Sequence, residues 1–289
     1  MVRPRDGERK NRNGGETAHR ETSPSFGAQA PLDGLGPGAV NRFLVALARE
    51  CRFLASWRRG LTMDANGIEG CLRPTPGVDC DEPEIKALAA RVTDGARDAG
   101  EAAVRLFAFV RDGIRYIPFA PFLAIEDYHG RAALERGYGF CTQKSSLLVG
   151  LCRAAGIPAR FRYADLVNHN LPGRLGWVLG SDRMIYHTYV EIFLDGRWLK
   201  ATPSFEKSLC EKMGWRLVEF DGTKDAVLHA LDLSGRPHIE YVQDRGALPH
   251  IPLADMLATW LREYGPATLD RWRAATAGLA DENAPPARP

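Results

Sequence analysis

Gly137-Tyr138-Gly139-Phe140-Cys141-Thr142-Gln143-Lys144 is the stretch on which the reading of this 289-residue chain turns. Two glycines loosen a loop, and Leu147, Leu148, Leu151, Cys152 and Ala155 then mark a helix face by their spacing. Gly156 ends that helix and Pro158 forbids its continuation. Cys141 therefore falls at or just before a helix N-terminus. Aligned amide dipoles there lower a thiol's pKa, and free N–H groups could receive an oxyanion. The other cysteines, at 51, 71, 80, 152 and 210, read as buried or idle thiols.

Downstream, Ala159 to Leu166 alternates as a strand with Phe161 and Tyr163 on one face. Met184 to Leu194 alternates again, and Asp195-Gly196 is the strongest hairpin signal in the sequence, with Arg197 to Thr202 returning. A two-residue turn sets Leu194 opposite Arg197. It then sets Tyr189 opposite Thr202 and His187 opposite Ser204. On that register Thr202 lies diagonally across from His187 on one sheet face, within side-chain reach. A histidine with an orienting neighbour is what a thiol nucleophile needs as its base.

Upstream, Asp81-Glu82-Pro83 favours a helix start, continued by Ile85, Leu88, Ala89 and Val92. A further helix over about Glu101–Asp112 stops at Gly113, and Ile114 to Phe119 reads as extended. An earlier helix covers about Val40–Trp57. Residues 1–38 and 278–289 read as disordered tails, 39–80 as a helical extension with a loop, 81–245 as the main domain, and 246–277 as C-terminal helices. Trp215 to Phe220, Ala226 to Leu231 and Ile239 to Val242 suggest short elements. Leu253 to Tyr264 and Leu269 to Ala275 read as helices.

Composition narrows the function classes. Thirty-eight Lys plus Arg against 36 Asp plus Glu leaves a charge of +2, which gives no electrostatic case for nucleic acid or an anionic membrane as partner. No apolar run approaches the roughly 20 residues that span a bilayer. Met1 to Arg20 lacks an apolar signal region, so a cytoplasmic setting is expected. No C-x-x-C pair or zinc-spaced cluster is present, and neither metal nor organic cofactor is expected.

Gly139-Phe140-Cys141, Ala154-Ala155-Gly156-Ile157-Pro158-Ala159-Arg160, His187 to Trp198 and Thr202-Pro203 stand in an order that resembles the transglutaminase-like superfamily, over about Glu101 to Phe205. The resemblance implies a papain-related α+β fold with the nucleophile helix packed on an antiparallel sheet. It also implies a Cys-His-Asp triad for amide hydrolysis, of cysteine peptidase or amidase type, or for acyl transfer through a thioester. Cys141 would be the nucleophile and His187 the general base and acid, with a peptide or amide as substrate. The family's aspartate position is occupied by Thr202, which can orient imidazole but brings no charge to stabilise imidazolium.

Three arrangements stay open: Thr202 as an uncharged orienter, placed first; a carboxylate from Glu191, Asp182 or Asp165; or a catalytically silent binding or scaffold protein. Gln143, Tyr138 and Phe140 are candidates to bind substrate or shape its pocket, and Lys144 reads as a solvated surface residue. Calcium is not expected, because the extra domains and acidic sites of calcium-dependent relatives are not visible. Oligomeric state is left open.

Overall fold

The structure, a computed structural model, describes residues 67–171 and 173–282, with side chains given as far as Thr276. The helix expected over Val40–Trp57 and the tail at 1–38 lie outside the described residues. Glu82 precedes α1 (Pro83–Thr93) with proline in its first turn, and Ile85, Leu88 and Ala89 are buried. Asp98 starts α2 (Ala99–Gly113) by accepting from the Glu101 amide at 2.8 Å. The short β1 (Arg115–Tyr116) pairs in parallel with β2 (Tyr138–Gly139). Between them lies α3 (Gly130–Arg136), whose start is held by Asp79 accepting from the Gly130 and Arg131 amides.

The long central helix α4 (Cys141–Ala154) begins at the cysteine itself. Every residue from Cys141 to Arg153 is buried, although the leucine spacing had suggested a single buried face. α4 packs between α1 to α3 and the sheet, so solvent reaches neither side.

That sheet is antiparallel in the order β5-β4-β3-β6. It comprises β3 (Ala159–Asn168), β4 (Arg183–Leu194), β5 (Arg197–Ala201) and β6 (Ile239–Leu248). The hairpin follows its expected register, with Leu194 paired to Arg197 and Val190 to Ala201. Asp195 and Gly196 both hold positive φ, at 48° and 78°, as a type I′ turn requires. Phe161, paired with Val190, and Tyr163, paired with Thr188, fall on the rungs that meet α4. Arg160, Arg162 and Ala164, paired with Glu191, Tyr189 and His187, form the alternate rungs. The result is the α+β arrangement read from the sequence, with the cysteine helix laid on the sheet.

Several details differ. Trp215 to Phe220 is irregular, and Ala226 to Leu231 contributes only isolated bridges from Ala226 to Ala201 and from Leu231 to Pro237. β6 runs on to Leu248 and joins the sheet beside β3. Two short helices had no periodic signal, α5 (Gly173–Leu179) and α6 (Lys207–Met213). α7 (Leu253–Tyr264) matches its expected bounds, whereas α8 (Ala267–Glu282) reaches past Gly278. Among the described residues no helix is long and apolar enough to cross a membrane.

Candidate functional site

The start of α4 is fixed by its own side chains. Gly137, at φ 70°, ends α3 in the left-handed region. At Gly139 an added Cβ would stand 3.0 Å from both Cβ and Oε1 of Gln143, so glycine is what lets that side chain fold back. Gln143 Oε1 accepts from the Phe140 amide, while its Nε2 donates to Pro121 O at 2.6 Å and Asp127 O at 3.0 Å. The amide is thus held by three hydrogen bonds and buried, and Gln143 is not among the side chains that line the cleft described below.

Lys144 is likewise not a surface residue. Its side chain is fully buried, and Nζ donates to Arg111 O at 2.9 Å and Ile114 O at 2.5 Å, with Glu206 at 4.0 Å. It sits at the negative C-terminal end of α2, yet burial still pulls its pKa down to about 7. Thr142 Oγ1 meets Thr188 Oγ1 at 2.9 Å, and Ser145 Oγ donates to Thr188 O at 3.2 Å. These contacts tie the first turn to β4 one residue beyond His187.

Cys141 and His187 border one cleft, together with Phe140, Tyr116, Trp260 and Trp272 among others. The thiol interacts with the Thr188 backbone and its own helix's first amides, but burial dominates and pushes it up from the ordinary cysteine value. The dipole effect expected from the sequence is therefore outweighed. His187 is 2% exposed, and burial alone lowers its pKa to about 3. Burial thus favours the neutral form of both the thiol and the imidazole.

His187 stacks beside Tyr189 at 6.1 Å and meets Tyr241 edge-on at 6.3 Å. Neither ring nitrogen has a hydrogen-bond partner among the described residues, and the same holds for Thr202 Oγ1 and Ser204 Oγ. β5 ends at Ala201, and the Thr202 amide donates to Ala226 O at 2.9 Å. The expected bond from Thr202 to the imidazole is not formed. The alternative carboxylates are not on the ring either. Glu191 is paired with Arg160 and Arg162, and Asp165 is held by Arg245 at 2.5 and 2.7 Å while accepting from the Tyr186 amide. Asp182 enters the network through its backbone carbonyl, which accepts from the Asn168 amide.

Of the pocket candidates, Phe140 is buried in the cleft, in ring contact with Tyr128, Trp260 and Trp272. Tyr138 belongs to the β1–β2 pairing and does not line the cleft. Sequence reasoning missed Tyr241, whose ring meets those of His187 and Tyr189 edge-on. It also missed Tyr186, at φ 61° in a bulge where the β3–β4 register shifts. No local pattern marks either one. Among the described residues no cluster of three or more His, Cys, Asp or Glu is arranged to hold a metal.

No curated protein matches the chain. One similar solved structure is a candidate cysteine protease from Cytophaga hutchinsonii, 14% identical, covering 65% of this chain and 55% of that one, with a TM-score of 0.40. Another is a candidate protease from Parabacteroides distasonis, 17% identical, covering 56% of this chain and 27% of that one, with a TM-score of 0.31. This chain thus spans about half the length of the first and about a quarter of the second. Residues 86–203, the segment that holds Cys141, His187 and Thr202, match the family model described as the transglutaminase-like superfamily.

Proposed function

We propose that the chain is a thiol enzyme that hydrolyses or transfers an amide-linked acyl group through a thioester on Cys141. The observation that supports this reading is the shared cleft, which Cys141 at the first position of α4 and His187 on β4 both line. In the reaction the sulfur attacks the carbonyl carbon as its proton passes to His187. Amides at the start of α4 take the charge developing on oxygen. The leaving amine departs with the proton from His187, and water or an acceptor amine then attacks the thioester with His187 again as base.

With burial favouring both neutral forms, proton transfer would accompany attack. A peptide or amide substrate fits this chemistry, and a cytoplasmic setting would keep the thiol reduced.

Tyr241 and Thr202 would position the imidazole rather than touch the reacting atoms. Their influence should show as a changed pH profile. A second reading, a silent scaffold, draws support from the unpartnered ring of His187 and from threonine at the family's aspartate position.

The test is acylation by p-nitrophenyl acetate, followed by release of p-nitrophenolate and by mass mapping of the acetyl group. An acetyl thioester on Cys141, lost in Cys141→Ala and formed at least about a hundredfold more slowly in His187→Ala, is the expected result. Absence of that adduct, or a rate indifferent to His187, would leave the scaffold reading.

A further inference from the structure

We infer that the acyl group loaded onto Cys141 is uncharged and apolar, and that α7 and α8, which lie beyond the matched segment, supply the wall that selects it. This rests on the thiol reading above. Trp260 and Tyr264 from α7 and Trp272 from α8 border the cleft, and Leu175 and Leu179 of α5 also line it. Trp260 and Trp272 stack at 6.1 Å with an interplanar angle of 17°, and Phe140 touches both.

The polar tips of α7's two rings are already committed. Trp260 Nε1 donates to Ile185 O at 2.8 Å, while the Tyr264 hydroxyl accepts from the Ile185 amide at 2.6 Å and donates to Arg183 O at 3.1 Å. These bonds hold β4 just before His187 and leave mostly carbon surface turned to the cleft, while Trp272 Nε1 is buried without a partner among the described residues. Among the described residues no carboxylate, lysine or arginine lines it, the ionisable groups being Cys141, His187 and the tyrosines 116, 186 and 264.

The space, counted with its open mouth, is about 420 Å³. A charged acyl group entering it would shed water and meet no counterion, whereas an aliphatic or aromatic one buries carbon against carbon. A second apolar recess, about 270 Å³ counted with the open solvent at its mouth, shares Trp260, Tyr264 and Trp272.

The experiment loads Cys141 from p-nitrophenyl acetate, 3-methylbutanoate, phenylacetate and hemisuccinate. Each rate is divided by that of free N-acetylcysteine with the same ester. In every case sulfur bonds to the acyl carbon, p-nitrophenolate leaves and the thiol proton passes to His187. The expected order puts the 3-methylbutanoyl or phenylacetyl ester at least about tenfold above acetyl, with hemisuccinyl below acetyl. Trp272→Ala should shrink that advantage, and Leu179→Ala, on the α5 wall, serves if the first variant does not fold.

If acetyl loads Cys141 but the apolar esters hold no advantage, or hemisuccinyl equals them, the inference fails and the thiol reading stands. An unchanged preference in a folded Trp272→Ala or Leu179→Ala chain would overturn the assignment of selectivity to these walls. If not even acetyl loads Cys141, the thiol reading falls and takes the inference with it.

Discussion

The two halves of the site treat their polar atoms in opposite ways. On the cysteine side, Gln143, Lys144, Ser145 and Ser146 each place a buried polar group on a backbone carbonyl, and Gln143 also caps the Phe140 amide. On the histidine side, the ring nitrogens of His187 and the hydroxyls of Thr202 and Ser204 are buried without partners among the described residues. Native interiors satisfy most such groups, and the exceptions gather where chemistry is done. The satisfied polar groups thus gather on the first turns of α4, and the unsatisfied ones include the imidazole of His187.

The largest effect that would break this contrast is expected at Lys144. Lys144→Met orphans the carbonyls of Arg111 and Ile114 and should cost roughly 2–4 kcal/mol in urea unfolding at pH 7. A small loss would show that the ties are redundant. Lys144 also has a pH signature. Its folded pKa of about 7 lies below the unfolded value near ~10.4, so the unfolded chain binds more protons in that window and this group's share of stability rises with pH across it. The Met variant should lack that slope.

A smaller effect of opposite sign is expected across the cleft. His187→Phe removes two unpartnered nitrogens, so stability at pH 7 should hold or rise even as acylation fails. In the native chain, His187 at about 3 and His238 at about 4 both lie below the ordinary value of ~6.5. Unfolding therefore takes up protons as pH falls from about 6.5, and stability declines toward acid. Melting of His187→Phe between pH 7 and 4.5 should show a shallower decline. An identical decline in both chains would remove His187 from the acid response.

The smallest stability change is expected at Thr202→Val, within about 0.5 kcal/mol, because no hydrogen bond is lost. Acylation sharpens that case. A fall in rate with a shifted pH profile would mark Thr202 as positioning the imidazole, and an unchanged profile would mark its hydroxyl as idle.

How much of this was legible depended on the range of the interaction. The hairpin was readable to the rung because Asp195-Gly196 encodes its own turn, and the start of α4 was readable because glycines precede it and leucines follow. Glutamine three residues after Phe140 has the spacing of a residue that caps backward, a signal present but unread. Lys144 carried no such sign, since its acceptors lie in the last turn of α2 and just past its end, 33 and 30 residues upstream. The same is true of Trp260 and Trp272, which line the cleft, and of Tyr241, which meets His187, only through tertiary packing. The absent His187–Thr202 bond was also illegible, because a register gives the rung and not the reach of a side chain past the strand's end.

The pairing of β6 with β3 carries a consequence for how the cleft comes into being. The β4–β5 hairpin closes over two residues, so the strand bearing His187 can find its partner within microseconds. β6 must instead travel back from Ile239 to Asn168, and only then are α7 and α8 delivered to the mouth of the site. Such non-local closure is entropically slow. During refolding the backbone amides of β4 and β5 should gain protection from hydrogen exchange before Trp260 and Trp272 report burial. The chemistry's walls are thus the last part of the molecule to exist, and the first that gentle destabilisation should open.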